Sequence, residues 1–137
     1  MSHFFTDCYF NLGNIFFEQG DNTKADLCYK SSLEALEEDR KIQMYRHLDD
    51  DNFANTHVEK AIVSYGRICN MIGETSKELK TVETAIKFYL KGIAYEPQFL
   101  DNFVDFAQVC FTQNETSLGN LILLLAKIVT QGEDQSE

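Results

Sequence analysis

The sequence predicts an all-helical protein built as an array of antiparallel helix hairpins, and three observations lead to this prediction. Apolar residues recur at three- and four-residue spacing through most of the 137 residues. The chain has a single proline and no succession of short strands separated by turns. Small and large residues also recur at a fixed interval, since Gly73 and Ala107 are 34 residues apart, as are Tyr89 and Leu123.

The composition is that of one packed domain with an acidic surface. Apolar residues make up 44% of the chain and include eleven phenylalanines, which is enough for a hydrophobic core. The net charge of −10 opposes nonspecific binding to phosphate backbones. We therefore expect a protein or peptide partner and no nucleic acid. The alternative is that the acidity only opposes aggregation.

The cysteines and the apolar runs give no sign of a metal site, a disulfide framework or a membrane segment. The four cysteines stand among apolar helical neighbours, without the spacing of metal ligands, and we expect small, free core residues. The N-terminus lacks the pattern of a signal peptide, and the apolar run 121–126 is too short to cross a bilayer. The expectation is a cytoplasmic protein with no cofactor, no metal and no membrane contact.

The first hairpin is predicted from a strongly aromatic helix over residues 5–19 and a second helix over residues 23–46. Gly20 supplies the turn between them, because glycine adopts the left-handed conformation at a helix end without a steric penalty. Asn22 or Thr23 is the expected N-cap of the second helix. No glycine or proline interrupts that helix before residue 46, so it is expected to be long.

Small and aromatic residues alternate within this hairpin. Gly13 and Ala25 are small where the two helices cross, while Tyr9, Phe16 and Tyr29 fill the space beside the crossing. This pattern resembles the tetratricopeptide repeat, whose signature falls on Tyr9, Leu12, Gly13, Phe16, Gly20, Ala25, Tyr29 and Ser32. The resemblance implies an α-α superhelix of about three such repeats.

An acidic segment separates the first hairpin from the rest of the chain. Residues 47–55 form a predicted loop, and a calcium-binding reading of its aspartates fails because Ala54 and Lys60 stand where an EF-hand needs glycine and glutamate. Residues 56–59 form a capping box that is expected to open a third helix over 57–78.

The second repeat has two possible registers within that third helix. One register aligns the Leu-Gly pair of the repeat signature, which is Leu12 and Gly13 in the first repeat, with Tyr65 and Gly66 and needs an insertion. The other register aligns that pair with Ile72 and Gly73 and needs none. We prefer the gapless register. It predicts three further helices over 81–95, 99–113 and 117–131. The resulting organisation is one domain over 1–131, with repeats at about 6–39, 66–99 and 100–131, a helical extension and acidic loop over 40–65, and a disordered acidic tail over 132–137.

The resemblance also implies where a ligand binds, because the family's concave groove is lined by the first helix of each repeat. Carried over to this sequence, the binding positions are Phe10, Asn14, Phe17, Arg67, Asn70, Lys77, Val104, Gln108 and Phe111. The three phenylalanines are expected to be partly exposed anchors for apolar side chains of a peptide. One subset of the family binds the C-terminal carboxylate of chaperone peptides with lysine, arginine and asparagine side chains. Here Phe10, Glu74 and Asp101 stand at positions where that binding needs a basic or amide residue, so we do not expect it.

Three other functions remain as alternatives. A catalytic or metal site would use His47 or His57 with the aspartates 49–51, but no nucleophile or ligand spacing accompanies them, and we expect no enzyme activity. The chain could also be a small secretion or assembly chaperone for an apolar client. Finally, it could be the repeat portion of a larger protein, such as a transferase.

The last predicted helix is apolar nearly all round. One preceding hairpin cannot cover every side of such a helix, so we predict a homodimer through it. The interface residues would be Leu121, Ile122, Leu124, Leu125 and Ile128. A partner protein or further C-terminal sequence would be the alternative cover.

Overall fold

The structure, a computed structural model, describes residues 2–49 and 61–135, with side chains for residues 4–42, 44 and 61–132. Within these residues there are six helices and no strand. They are α1 (Ser2–Glu18), α2 (Asn22–Asp49), α3 (Tyr65–Glu78), α4 (Val82–Tyr95), α5 (Asp101–Thr112) and α6 (Thr116–Gln135). Helices adjacent in sequence pack in pairs, α1 with α2, α3 with α4 and α5 with α6. The prediction of an all-helical array of hairpins is confirmed. The chain divides into two compact units, Met1–Ser64 and Tyr65–Glu137.

The third helix begins later than the capping box predicts. Residues 61–64 are not helical, and α3 starts at Tyr65. The carboxylate of Asp7 accepts hydrogen bonds from the backbone N–H groups of Ile62 and Val63, both at 3.0 Å. These contacts hold residues 62 and 63 against α1, which explains why this stretch does not extend the helix. The capping box at 56–59 lies outside the described residues.

Two other helices end later than predicted. Helix α2 continues to Asp49, three residues past the predicted end, and the remainder of the acidic loop lies outside the described residues. Helix α6 continues to Gln135, so the boundary of the acidic tail at residue 132 is placed too early, and residues 136–137 lie outside the described part. Sequence patterns locate helix ends less reliably than helices themselves, because the terminal turns lack an apolar face.

In the first unit, a missing side chain allows α1 and α2 to approach. A Cβ atom added to Gly13 would lie 2.6 Å from Cε1 of Tyr29, which is fully buried. The Tyr29 ring packs against Phe10 with ring centroids 5.4 Å apart. Near the other end of the hairpin, the hydroxyl of Ser32 donates to the carbonyl oxygen of Thr6 at 2.7 Å. Both groups are buried, so this hydrogen bond fixes the alignment of the two helices.

The second unit contains the same crossing 60 positions later. Gly73 of α3 faces the ring of Tyr89 of α4, and an added Cβ would overlap that ring. Gly13 and Tyr29 therefore correspond to Gly73 and Tyr89, as the gapless register requires. The shared geometry explains why both first helices carry glycine at this position.

The α5–α6 hairpin reverses the arrangement. Here the glycine is on the second helix, and a Cβ added to Gly119 would lie 2.6 Å from Cε1 of Phe111 on the first helix. Leu123, which stands at the position of Tyr29 and Tyr89, is 39% exposed. This hairpin instead packs into a buried cluster with α4, formed by Ala85, Tyr89, Phe103, Phe106, Ala107, Val109, Cys110 and Ile122.

The three first helices end in the same way. Gly20, Lys80 and Asn114 each follow a first helix and have φ angles of 81°, 66° and 64°. The paired backbone bonds at each end, such as Asp21 N–H to the Phe16 carbonyl at 2.9 Å, are those of a Schellman motif. Asp21 then caps α2 by accepting the backbone N–H of Lys24 at 3.1 Å. The predicted N-cap at Asn22 or Thr23 is therefore one or two residues too late.

Candidate functional site

The face of the second unit formed by α3 and α5 carries most of the predicted binding positions. These two helices contact each other, and both are first helices of a hairpin. Val104 is 50% exposed and Phe111 38%, and Gln108 and Arg67 are also exposed, whereas Asn70 is buried and Lys77 half-buried. The face therefore offers an accessible apolar surface beside polar side chains that are held in place.

A network of hydrogen bonds organises the polar part of this face. The amide nitrogen of Asn70 donates to Oδ2 of Asp105 at 2.7 Å, which joins α3 to α5. The hydroxyl of Tyr89 donates to Oε1 of Glu74, also at 2.7 Å. The ammonium group of Lys77 lies 3.3 Å from the other oxygen of Glu74. These five side chains, Asn70, Glu74, Lys77, Tyr89 and Asp105, are called the polar cluster below.

The electrostatics of the polar cluster favour a cation. Burial raises the pKa of Asp105, and the nearby carboxylate of Glu74, within hydrogen-bonding reach, raises it further, while Asn70 and Lys77 act in the opposite direction. Burial and the Glu74 acceptor also raise the pKa of Tyr89 well above its ordinary value. Two adjacent carboxylates share one lysine, so a basic group from a ligand would relieve their repulsion.

A depression adjoins the polar cluster and gives a ligand side chain room to enter. It is open to solvent and has a volume of about 290 Å³. Lys77 and Gln108 line it on the side of the cluster, and Val82 and Val109 provide apolar contacts. The other lining residues are Glu78, Lys80, Thr112 and Gln113.

The predicted binding positions of the first unit are less accessible. Phe10 is only 5% exposed and packs on Tyr29, so its predicted role as an exposed anchor is wrong. Asn14 accepts the hydroxyl hydrogen of Tyr29 at 2.7 Å, and Phe17 is half-buried. Asn14 of this unit corresponds to Glu74 of the other, since each accepts the hydroxyl of the tyrosine 15 residues later. In the first unit this position therefore carries no charge.

The predicted interface residues of α6 divide between two faces. Ile122 is only 6% exposed and belongs to the core with α4 and α5, so its predicted place at a surface is wrong. Leu121, Leu124, Leu125 and Ile128 are exposed, as is Leu118, which sequence reasoning did not include. These five exposed residues form one stripe along α6, and the exposed Leu123 lies on the opposite side of the helix.

The predicted binding positions lack three of the five residues of the polar cluster, Glu74, Tyr89 and Asp105. Asp105 was not selected because it is next to the groove position Val104 rather than on it. Tyr89 was assigned only to packing, although its hydroxyl also reaches Glu74. Asn14 and Tyr29 are separated by the same number of residues as Glu74 and Tyr89, and this repeat was a usable signal for Tyr89. No sequence pattern places Asp105 near Glu74.

The described residues also bear on the metal, cysteine and membrane predictions. Among the described side chains, no group of three or more possible metal ligands is found. The proposed pair of His47 or His57 with the acidic run lies outside the described side chains. All four cysteines are free, but only Cys69 and Cys110 are buried, so the prediction of a core residue is wrong for the exposed Cys8. No described helix has both the length and the apolar content that a membrane span requires.

Comparison with known proteins agrees with the geometry of the hairpins. The family model for the tetratricopeptide repeat matches residues 6–38 and 66–99. The matched segments contain both Gly–Tyr crossings, and the α5–α6 hairpin lies outside them. No curated protein matches the sequence. With paired antiparallel helices and two segments that match the repeat, this chain belongs to the tetratricopeptide-repeat family of helical proteins, which in general act as scaffolds for protein–protein interaction.

Proposed function

We propose that this chain is a non-catalytic scaffold that binds a basic segment of a partner protein on the α3–α5 face of the second unit. The polar cluster is the observation that carries the proposal. Its carboxylates are held by Asn70 and Tyr89 before any ligand arrives, so little side-chain freedom is lost on binding. A lysine or arginine of the partner would pair with Glu74 and Asp105, and the exposed Val104 and Phe111 would contact its apolar neighbours.

Copurification from cells of the source organism, followed by mass spectrometry, tests this proposal. Val104→Lys should release the partner, because the added ammonium group is desolvated on binding and repels a basic segment. Leu90→Lys is the matched control, since Leu90 is about equally exposed but belongs to α4. Partners retained equally by both variants would contradict the proposed site. Copurification of a single apolar client whose retention neither variant changes would favour the chaperone alternative.

We also propose that the chain forms a homodimer through α6. Leu118, Leu121, Leu125 and Ile128 are spaced by three, four and three residues, the spacing of a coiled-coil seam. All four are exposed, and the neighbouring Leu124 widens the stripe. Two copies related by a two-fold axis would bury the same stripe on each helix.

Light scattering at micromolar concentration tests the dimer. Leu125→Asp should yield a monomer, because it places a charge in the seam. Leu123→Asp on the opposite side of the same helix is the matched control and should remain dimeric. A wild-type chain that is monomeric on concentration would contradict the proposal and leave a partner protein or further sequence as the cover of α6.

A reducing compartment such as the cytoplasm is the location we propose. The four free cysteines support it, since the exposed Cys8 would be open to oxidation elsewhere. Fractionation of cells that express the tagged chain is the direct test.

A further inference from the structure

One side of α1, beside its contact with α2, carries apolar residues that are exposed in the described part of the chain. Phe5, Tyr9, Leu12 and Phe16 recur at four-, three- and four-residue spacing and therefore lie along one side of the helix. Phe5, Tyr9 and Leu12 are 51%, 40% and 41% exposed. These four residues are called the α1 stripe. A stripe of this size is unusual on a surface that contacts only water.

A depression of about 380 Å³ opens beside the N-terminal half of the α1 stripe. Phe5 and Tyr9 of α1 line it together with Ser31, Glu34, Ala35 and Glu38 of α2. Ser31 and Ala35 are four positions apart, as are Glu34 and Glu38, so small and acidic side chains form two adjacent rows. A side chain entering this space meets aromatic rings and two carboxylates.

The charges around the depression indicate a basic occupant. Glu34 is exposed and has no ion-pair partner among the described residues, and Glu38 has only Lys41 at 3.8 Å, with both side chains exposed. Further along the stripe, the ammonium group of Lys24 lies 5.5 Å from the centre of the Phe16 ring. The chain's own lysine thus lies over one aromatic ring of the α1 stripe. The rings of Phe5 and Tyr9 are exposed and accessible to a cation from a ligand.

A second copy of this chain does not supply that chemistry well. Acidic residues outnumber basic ones by 22 to 12. The exposed apolar stripe of α6 is accompanied by one lysine, Lys127, and by no arginine. A partner helix with several basic residues beside its apolar face therefore fits the α1 stripe better than another copy does.

We propose that the α1 stripe and the Glu34–Glu38 row dock an amphipathic helix of a partner protein that carries arginine or lysine along one flank. The apolar face of that helix covers Tyr9, Leu12 and their neighbours. A basic side chain enters the depression, where its stem contacts the aromatic rings and its head pairs with the carboxylates. This site belongs to the first unit and does not depend on the α3–α5 face.

The test is fluorescence anisotropy of the full chain with a labelled synthetic helix of about 16 residues, with leucines on one stripe and arginines on one flank. Wild type should bind it with an affinity that falls as salt rises. Exchange of Glu34 and Glu38 for glutamine should weaken binding by about 3- to 10-fold and reduce the salt dependence. Tyr9→Ala should weaken binding by about 10-fold.

Matched controls separate this site from general effects of charge. Exchange of the exposed Glu83 and Glu115 for glutamine removes the same charge from the second unit and should leave binding unchanged. Val104→Lys should also bind normally, so failure here is distinguishable from failure of the α3–α5 site. Equal binding of a peptide with glutamate in place of arginine would overturn the proposal. So would a change of oligomeric state in Tyr9→Ala, which would identify a second copy as the occupant.

Discussion

At the scale of single residues, the absence of a side chain decides how closely two helices pack. Gly13 and Gly73 each face a fully buried tyrosine ring that occupies the place of their Cβ atom. The hydroxyls of these tyrosines then donate to Asn14 and Glu74, next to the glycines. The packing of a hairpin and the polar chemistry of its surface thus depend on the same pair of residues.

Gly73→Ala should destabilise the protein by about 1 to 3 kcal/mol, because the added methyl group overlaps the Tyr89 ring in a tightly packed crossing. Denaturant unfolding followed by circular dichroism measures the change. Gly132→Ala is the control, since nothing lies within 4 Å of a Cβ at that helical position. That substitution should be neutral or stabilising, as alanine favours a helix. A neutral effect of Gly73→Ala would mean that the ring can move aside.

At the scale of elements, the end of each first helix fixes the turn into the second. The same left-handed position is occupied by Gly20, Lys80 and Asn114 in the three hairpins. Only glycine adopts this conformation without a steric cost, and asparagine tolerates it better than lysine does. The second hairpin therefore contains local strain that the first does not.

Lys80→Gly should stabilise the protein by about 0.5 to 1 kcal/mol, because it removes the steric cost of a positive φ angle. Thermal or denaturant unfolding measures the gain. Lys87→Gly makes the same substitution inside α4 and should destabilise the protein by about 1 kcal/mol. If both substitutions destabilise, the strain assigned to Lys80 is absent.

At the scale of the molecule, the net charge of −10 means that repulsion between carboxylates lowers the stability of the folded chain. Asp105 has a pKa raised above its ordinary value of 3.8 by burial and by Glu74. Its carboxyl group therefore binds a proton more tightly in the folded chain than in the unfolded one. That contribution to stability is present below pH 3.8 and is lost as pH rises through the raised pKa.

Asp105→Asn should match wild type in stability at low pH and become the more stable of the two as pH rises above 3.8. At neutral pH, we expect a gain of about 1 to 3 °C in melting temperature, kept small because Asp105 is half exposed and solvent screens its charge. The asparagine oxygen can still accept from Asn70. Asp101→Asn is the control, since that side chain is exposed on the same helix. A variant less stable than wild type at every pH would show that the hydrogen bond outweighs the repulsion.

The sequence by itself determined the helices and their pairing into hairpins. This succeeded because the relevant signals are local: apolar spacing defines a helix, and Gly13 with Tyr29, or Gly73 with Tyr89, lie within one hairpin. The third hairpin followed the same spacing but not the same packing, since Phe111 and Gly119 exchange the roles of large and small residue.

Only the tertiary structure decided which apolar residues are covered and which polar residues meet. Helical spacing shows that Phe10 and Tyr9 lie on different sides of α1, but the position of Tyr29 makes Phe10 the buried one. The contact of α3 with α5 likewise brings Asn70 to Asp105 across 35 positions. Such contacts are not local in sequence, because they depend on how one hairpin packs on the next, and the helical period does not encode that packing.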